Sequence, residues 1–504
     1  MKILALSLLA GIASATGFAP LGLWPVTLAA FALLLHLVWS APRLRTALAR
    51  GYWFGVGHFA LGLNWIATAF TFQSEMPVWL GWIAVVLLAF YIAVYPAMAA
   101  GLAWRWGRGD RTATVLIFAA GWIVTEWLRA TMFTGFAWNP LGVSLLDTGV
   151  AAAARWTGTY GLSGLTALLA GAAWLLIVKQ RRAGLAIFAG LALVFVAAQL
   201  GSGPPAGARP VPVRIVQPNI GQQDKWKPGF ERRNFERLAR LSAIDGTGPR
   251  LLLWPEAAVT RPLQDQRRYG FAQADAAVVR ESVGAILAPR DLLLTGGITY
   301  RSADGADVTS ATNSIFAMNA AGRILGRFDK AHLVPYGEYL PMRPILSAIG
   351  LSRLSPGDID FDSGPGPQTL TLPVAGKVGF QLCYEIIFSG QVVDRANRPG
   401  FIFNPSNDAW FGAWGPPQHL AQARLRALEE GLPVLRATPT GISAIIDADG
   451  RILRQIGWNV AGVIDAPLPA PKSPTAFARF GNILPFALAL LLAAAAVAVR
   501  RRER

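Results

Sequence analysis

Three polar residues stand at the ends of apolar runs, in the chain order glutamate, lysine, cysteine. Cys383 is the single cysteine of the 504-residue chain; it closes the strand-like run KVGFQL and precedes Tyr384, Glu385 and a second apolar stretch. That pattern predicts a sharp strand-to-helix turn with the sulfur exposed. A lone cysteine is more commonly a buried structural residue, but a strand-end position beside a carboxylate, in a segment that the charge pattern sends outside the cell, favours a reactive thiol. Glu256 follows Leu251, Leu252, Leu253, Trp254 and Pro255, so a carboxylate is presented at the carboxyl end of a buried-looking strand; a solvated loop residue is the plainer alternative. Lys330 lies in GRFDKAHLVPYGEY and is one of seven lysines in a chain that otherwise uses arginine. Its compact ammonium suits a developing oxyanion, where arginine's planar fork is a different tool, and a surface pair with Asp329 is the alternative. Glu338, eight residues later, either orients this lysine or bounds a turn. Together the three supply a thiol nucleophile, a carboxylate to take its proton and a cation for a tetrahedral intermediate, which is the equipment of acyl transfer through a thioester. No one of them carries the assignment; the ordered set does.

Other chemistries lose support. The chain has no G-x-x-x-x-G-K-[ST] loop, no strand-linked G-x-G-x-x-G, no G-x-S-x-G elbow and no C-x-x-C pair, which speaks against ATP-driven transport, dinucleotide redox chemistry and a serine hydrolase elbow. Four scattered histidines, His36, His58, His332 and His419, do not make a metal site, and no cofactor is expected.

The elements that must position these residues fall into two kinds. Hydrophobic residues make up 53% of the chain and charged residues only 15%, where an ordinary soluble domain carries about a quarter charged. A bilayer core needs about 20 apolar residues of helix. Seven such segments precede residue 202, near 3–18, 22–40, 51–70, 77–104, 112–131, 158–178 and 183–201, and an eighth runs from 483 to 499. The first is alternatively a cleaved signal peptide, since Lys2 precedes a short apolar run ending in Ala13, Ser14 and Ala15. The net charge of +17 suggests nucleic acid until its placement is read: 14 of the 16 basic residues of the apolar part fall on one face, so that face is cytoplasmic by the positive-inside rule. An odd number of crossings then puts the following residues outside, with both termini in the cytoplasm. Residues 202–210, SGPPAGARP, read as a linker. Beyond it, short apolar runs alternate with helix-compatible segments, as in an α/β domain with a mostly buried sheet. The expected division is 1–201 for seven membrane helices, 202–480 for an external catalytic domain, and 481–504 for a last helix with a basic tail.

The residues also resemble a known family. Glu256 in LLLWPEAAV, Lys330 in GRFDKAHLVPYGEYLP and Cys383 in VGFQLCYEIIF match the three motifs of the carbon–nitrogen hydrolase (nitrilase) superfamily, whose catalytic set is glutamate, lysine and cysteine in that order. A nitrilase-like domain between seven membrane segments and a last one resembles its membrane-bound branch, the apolipoprotein N-acyltransferases, over nearly the whole chain. Further pieces similar to this family are TEWLRATMFTGFAWNPLG, VQPNIGQQDKW, FNPSNDAWFG and ARLRALEEGLPVLRATPTGISAIID. The resemblance implies an α-β-β-α sandwich beside about eight transmembrane helices. It implies transfer of an acyl chain from a glycerophospholipid to the α-amine of an S-diacylglyceryl-cysteine on an apolipoprotein, in the cell inner membrane with the catalytic domain periplasmic. Glu256, Lys330 and Cys383 are then catalytic, with Glu338, Tyr384 and Glu385 supporting them. Nucleic acid is not a partner, and a monomer is expected.

Between Lys330 and Cys383 the segment 339–354 is unusually apolar for an external loop. Pro341, Pro344 and Gly350 break regular structure while Leu340, Met342, Ile345, Leu346, Ile349 and Leu351 stay apolar. It reads as an arm dipping into the membrane surface, with Leu346 and Ile349 touching lipid, or else as a loop packed into the core. Trp226 similarly contacts the acyl chain or fills the core. Two other functions compete: an anchored amidase acting on a small substrate with the same three residues, and a transporter or receptor, whose helices should carry paired charges along a pathway. Glu126 and Arg129 are the only helical pair of that kind, and they read better as ordering the outer rim.

Overall fold

A computed structural model describes residues 1–72, 76–200, 207–225, 227, 229–243, 248–348, 350, 352–354 and 359–502. Trp226 and Ile349, named above as lipid contacts, lie outside the described residues.

Apolar helices form the first part: Lys2–Ala15, Trp24–Trp39, Leu44–Gly62, Leu80–Ile92, Val94–Gly107, Arg111–Thr131, Ala154–Ile177 and Arg181–Leu200, with Ile483–Arg502 at the far end of the chain. Among the described residues, five helical runs are long and apolar enough to cross a membrane, where the sequence led us to expect eight. Lys2–Ala15 and Trp24–Trp39 are apolar but shorter. The third expected segment, 51–70, is shifted: its helix starts at Leu44, takes in Arg45 and Arg50, and stops at Gly62. The fourth, 77–104, is two helices meeting at Ala93, because Pro96 has no N–H to give the carbonyl of Ile92. Glycine sets how closely two of these helices approach. A Cβ on Gly57 would sit 2.1 Å from the Leu8 carbonyl oxygen, and one on Gly11 would sit 1.9 Å from that of Phe54. The first and third helices therefore touch backbone to backbone, as small residues allow in apolar bundles.

The remainder is two sheets. The first contains β1 (Ala208–Gln217), β2 (Leu251–Leu253), β3 (Gln264–Asp265), β4 (Leu292–Arg301), β5 (Ser310–Met318), β6 (Ile324–Asp329) and β13 (Gly462–Pro469), in the order β13-β1-β2-β4-β5-β6 with β3 beside β4. The second runs β12-β11-β10-β9-β8-β7, from β7 (Thr369–Leu372), β8 (Gly376–Phe380), β9 (Phe401–Pro405), β10 (Val434–Ala437), β11 (Ser443–Ile446) and β12 (Ile452–Ile456). Strand alternation decides the layers. Leu251 and Leu253 point between the sheets with Val213, Ile215, Leu292 and Leu294, and meet Val378, Phe380, Phe401, Phe403 and Leu435 from the other sheet. Leu252 and Leu293 point the other way, against Leu238 of helix Glu231–Ser242 and Val279 of helix Gly270–Gly284. On the outer face of the second sheet, Ile402, Val434 and Ala444 pack with Leu420 and Ala423 of helix Gly415–Glu430. Phe59, Trp65, Trp138 and Tyr160 of the apolar part join that same cluster. The helix, sheet, sheet, helix layering agrees with the sandwich the resemblance implied, and its last layer is continuous with the apolar bundle.

Candidate active site

Each of the three expected residues ends a strand of this sandwich, and each backbone is fixed by local bonds. After β2, Trp254 N–H donates to the Leu294 carbonyl at 2.9 Å, and Gly296 N–H donates to that of Pro255 at 3.2 Å. The strand therefore runs on until Ala257 turns it at φ 46°. Gly296 is needed there, since a Cβ would lie 2.6 Å from the Glu256 Cα. Lys330 follows β6, with its N–H on the Asn313 carbonyl at 2.9 Å. Cys383 comes after β8, at the head of a 3-10 turn, Cys383–Ile387, and itself has φ 53°. A left-handed non-glycine residue costs on the order of 1 kcal/mol and persists where neighbours over-determine it. Here Glu385 does so: its Oε2 accepts from Leu382 N–H at 2.7 Å, while its Oε1 accepts from Ala331 and His332 N–H at 2.8 and 3.1 Å. One buried carboxylate thus ties the cysteine turn to the lysine turn. Burial pushes that carboxyl up to about 7, against the backbone donors and Lys330, which pull it down.

The sequence predicted an exposed sulfur; the structure corrects this, because Cys383 is only 5% exposed. The turn is a tight 3-10 segment rather than an open helix start, and Cys383 belongs to the core between the sheets with Phe380, Leu382 and Phe403. Burial and then the nearby Glu256 charge raise the thiol above its usual range, while Lys330 and the Asn407 backbone N–H pull it back without winning. The resting nucleophile is therefore the thiol, and it needs a base.

Glu256 is the carboxylate whose charge acts most on that thiol. Its Oε1 accepts from Asn313 Nδ2 at 2.8 Å, and its Oε2 has no hydrogen-bond partner among the described residues. The same Asn313 nitrogen donates to Glu338 Oε1 at 2.8 Å, so one amide spans two carboxylates. Glu338 Oε2 pairs with Lys330 Nζ at 2.8 Å and accepts from Val334 N–H at 2.8 Å. Of the two roles left open for Glu338, the structure has the orienting one, and the surface pairing of Lys330 with Asp329 is replaced by this one: Lys330 is fully buried. Burial works against its charge, yet Glu338, Glu256 and Cys383 together raise its ammonium above the ordinary lysine value.

Tyr384 faces away from this cluster, its hydroxyl donating to the Gly135 carbonyl at 3.3 Å. His332 Nε2 reaches the neighbouring Thr134 carbonyl at 3.0 Å. That loop is ordered in turn by Arg129, whose Nη1 donates to the carbonyls of Phe136 and Trp138 at 3.0 and 2.8 Å, and by Glu126, which accepts from Leu141 N–H at 2.8 Å. The pair thus braces a loop instead of lining a pathway. Leu346 is half-buried in a short helix, Arg343–Ala348, beyond Glu338, with Met342 and Ile345 each 63% exposed, so the middle of this segment is not core.

Sequence reasoning missed five contributors. Asn313 sits within β5, in the stretch NSIFAMN, with no feature to mark it. His419 donates from Nε2 to the Cys383 carbonyl at 3.1 Å, and its Nδ1 lies 2.9 Å from Asp408, which Arg436 grips through both oxygens at 2.8 and 2.7 Å. This buried trio backs the nucleophile from helix Gly415–Glu430, and Trp138 Nε1 reaches the adjacent Gln418 at 2.7 Å. Lys225 is buried too, its Nζ donating to the Glu256 carbonyl at 3.0 Å. Its signal was available: it is one of few lysines and lies in a segment already singled out.

Comparison with known proteins shows the family. Residues 10–172 match the family described as Apolipoprotein N-acyltransferase N-terminal domain, and residues 213–472 match Carbon-nitrogen hydrolase. The apolipoprotein N-acyltransferase of Rhodopseudomonas palustris is 35% identical over 99% of this chain and 95% of its own length. That of Caulobacter vibrioides is 36% identical over 99% and 94% respectively. With both halves matched in order and relatives aligned nearly end to end, the chain belongs to the apolipoprotein N-acyltransferase family of the carbon–nitrogen hydrolase superfamily.

Proposed function

We propose that this protein is the acyltransferase that N-acylates apolipoproteins during lipoprotein maturation, with a glycerophospholipid as donor and the α-amine of an amino-terminal S-diacylglyceryl-cysteine as acceptor. The observation that carries the reading is a buried thiol flanked by a half-satisfied carboxylate and a buried ammonium, in a chain related end to end to enzymes of that name.

In the first half-reaction Glu256 takes the Cys383 proton as the sulfur attacks the donor's ester carbonyl, and Lys330 stabilises the oxyanion. The carbon–oxygen bond breaks, Glu256 returns the proton to the departing lysophospholipid, and a thioester remains on Cys383. In the second, the amine attacks the thioester, the carbon–sulfur bond breaks, and the amine's proton passes through Glu256 to the sulfur. A thioester is more reactive toward an amine than the starting ester, amide formation drives the second half downhill, and the kinetics are ping-pong. Incubating the purified protein with phospholipid should add one acyl mass at Cys383, released on adding a diacylglyceryl peptide. Absence of any covalent adduct under turnover conditions would sink the reading.

The proposed setting is the cell inner membrane, with eight spans, 1–201 and 481–504 forming the membrane part, and 202–480 on the periplasmic side. The asymmetry of arginine and lysine between the two faces supports this. A reporter fused at residue 300 that requires export should be active, and one that requires the cytoplasm should be silent; the reverse pattern overturns the topology.

Leu346, with exposed Met342 and Ile345, is proposed to touch lipid beside the site, as are Ile349 and Trp226. Replacing Ile345 and Leu346 together by glutamate should slow turnover of vesicle-borne phospholipid about tenfold, since a charge is costly against acyl chains. Turnover of a dispersed short-chain ester should hold. Equal activity on vesicles would remove the arm from the reading.

A further inference from the structure

Two carboxylates and two lysines are buried around one thiol. Lys330 already has a carboxylate at ion-pair distance, Glu338 at 2.8 Å. Lys225 has none among the described residues: its Nζ makes a single hydrogen bond, to the backbone carbonyl of Glu256 at 3.0 Å. The charges that act on it are those of Glu256 and Cys383. Proton transfer between those two groups moves one negative charge from carboxylate to sulfur without changing the total. An uncompensated anion in a buried site is expensive, and with Lys330 engaged by Glu338 some other cation must balance it.

We propose that Lys225 is a positioning residue for the reaction, the counter-ion of the Glu256 and Cys383 pair, compensating their shared negative charge whichever of the two holds it. The inference rests on the mechanism proposed above and adds a residue that the glutamate, lysine and cysteine set does not contain. Helix Gln222–Lys225 delivers it, and Asn234 Nδ2 holds that helix by donating to the Asp224 carbonyl at 3.1 Å. Burial lowers the Lys225 ammonium to about 8 while Glu256 and Cys383 act to raise it, so it is charged at neutral pH. Besides Lys225, the charged groups that act on the thiol are Glu256, Lys330 and Asp408, and Asp408 is paired with Arg436 at 2.7 Å. Lys225 and Glu256 also line a common cavity of about 380 Å³, so the ammonium is within reach of solvent protons.

The chain's single cysteine makes the test direct. Full-length protein in detergent is alkylated with iodoacetamide across pH 5–10 and followed by intact mass, for wild type, Lys225→Met and Lys225→Arg. Below about pH 8, where the Lys225 ammonium carries its charge, removing it should slow alkylation of Lys225→Met roughly tenfold, with the gap to wild type narrowing at higher pH as the amine loses its proton. Lys225→Arg should stay within about threefold of wild type, because it keeps the charge. Acyl-enzyme formation from phospholipid should fall in the same proportion. Superimposable profiles overturn the inference. So does an equal slowing in both variants at every pH, which is the mark of lost packing. The alkylation profile needs no lipid: were wild type alkylated normally yet never acylated, the proposed function would fail while Lys225 was still judged on its own curve.

Discussion

Cys383→Ala should abolish both the acyl adduct and the acylated product, a loss of more than about 10⁴-fold, because nothing else at the site can carry the acyl chain. The fold should survive. Alanine removes only the sulfur, and the left-handed backbone at this position is held by Glu385 and His419 rather than by the side chain. Thermal unfolding in detergent should therefore shift by no more than about 1 kcal/mol. Intact mass after incubation with phospholipid reads the first half of this expectation, and transfer to a diacylglyceryl peptide reads the second. An adduct that still appears on the alanine variant would put the acyl group elsewhere and dismiss the scheme.

The second large effect belongs to Lys330→Met, which should act on rate and stability together. Loss of an oxyanion donor slows chemistry by about 10²–10³. The same change leaves Glu338 in a dry site without its cation, and breaking a buried pair from one side costs about 3–5 kcal/mol. The two effects separate on adding Glu338→Gln. The amide removes the stranded charge, so the double variant should regain most of the lost unfolding temperature while its acylation rate stays at the level of Lys330→Met. Recovery of activity along with stability would mean that Lys330 serves only to neutralise Glu338.

Glu256 and Cys383 were legible because each ends an apolar run of strand length, and a run's end is visible in one dimension; Lys330 was legible as a rare lysine in an arginine-rich chain, within the GRFDKAHLVPYGEY stretch. Their partners were not. Asn313 lies in the middle of β5, where a polar residue at a buried position has no local signature, and it reaches Glu256 only because β5 pairs with β4 and β4 with β2. Asp408, His419 and Arg436 meet across strands and a helix separated along the chain, so nothing in their spacing joins them. The strands themselves were readable, but the apolar runs pointed only to a mostly buried sheet and the second sheet was expected from the family resemblance alone, since leucine runs say that both faces are covered and not by what. The sulfur was expected exposed for a similar reason: a turn is local, whereas the core between the sheets that takes in Cys383 is assembled from strands far apart along the chain. The helices before residue 202 were readable as apolar lengths, and their true ends moved where Pro96, Arg45 and the glycines decided.

The pairing of β13 with β1 sets an order on biogenesis. The first strand of the domain lies between β2 and the last, so its outer edge waits, through the synthesis of every intervening residue, for 462–469 to leave the ribosome. During that interval β1 offers an open edge to any extended chain nearby. Pro210 and Pro212 remove two donors from it, and the register shifts between Arg209 and Pro212, which makes the waiting edge a poor template. A nascent chain released before Gly462 would thus carry all three residues proposed to be catalytic and lack the strand that closes the sheet bearing Glu256, a product for proteolytic quality control rather than a slow enzyme.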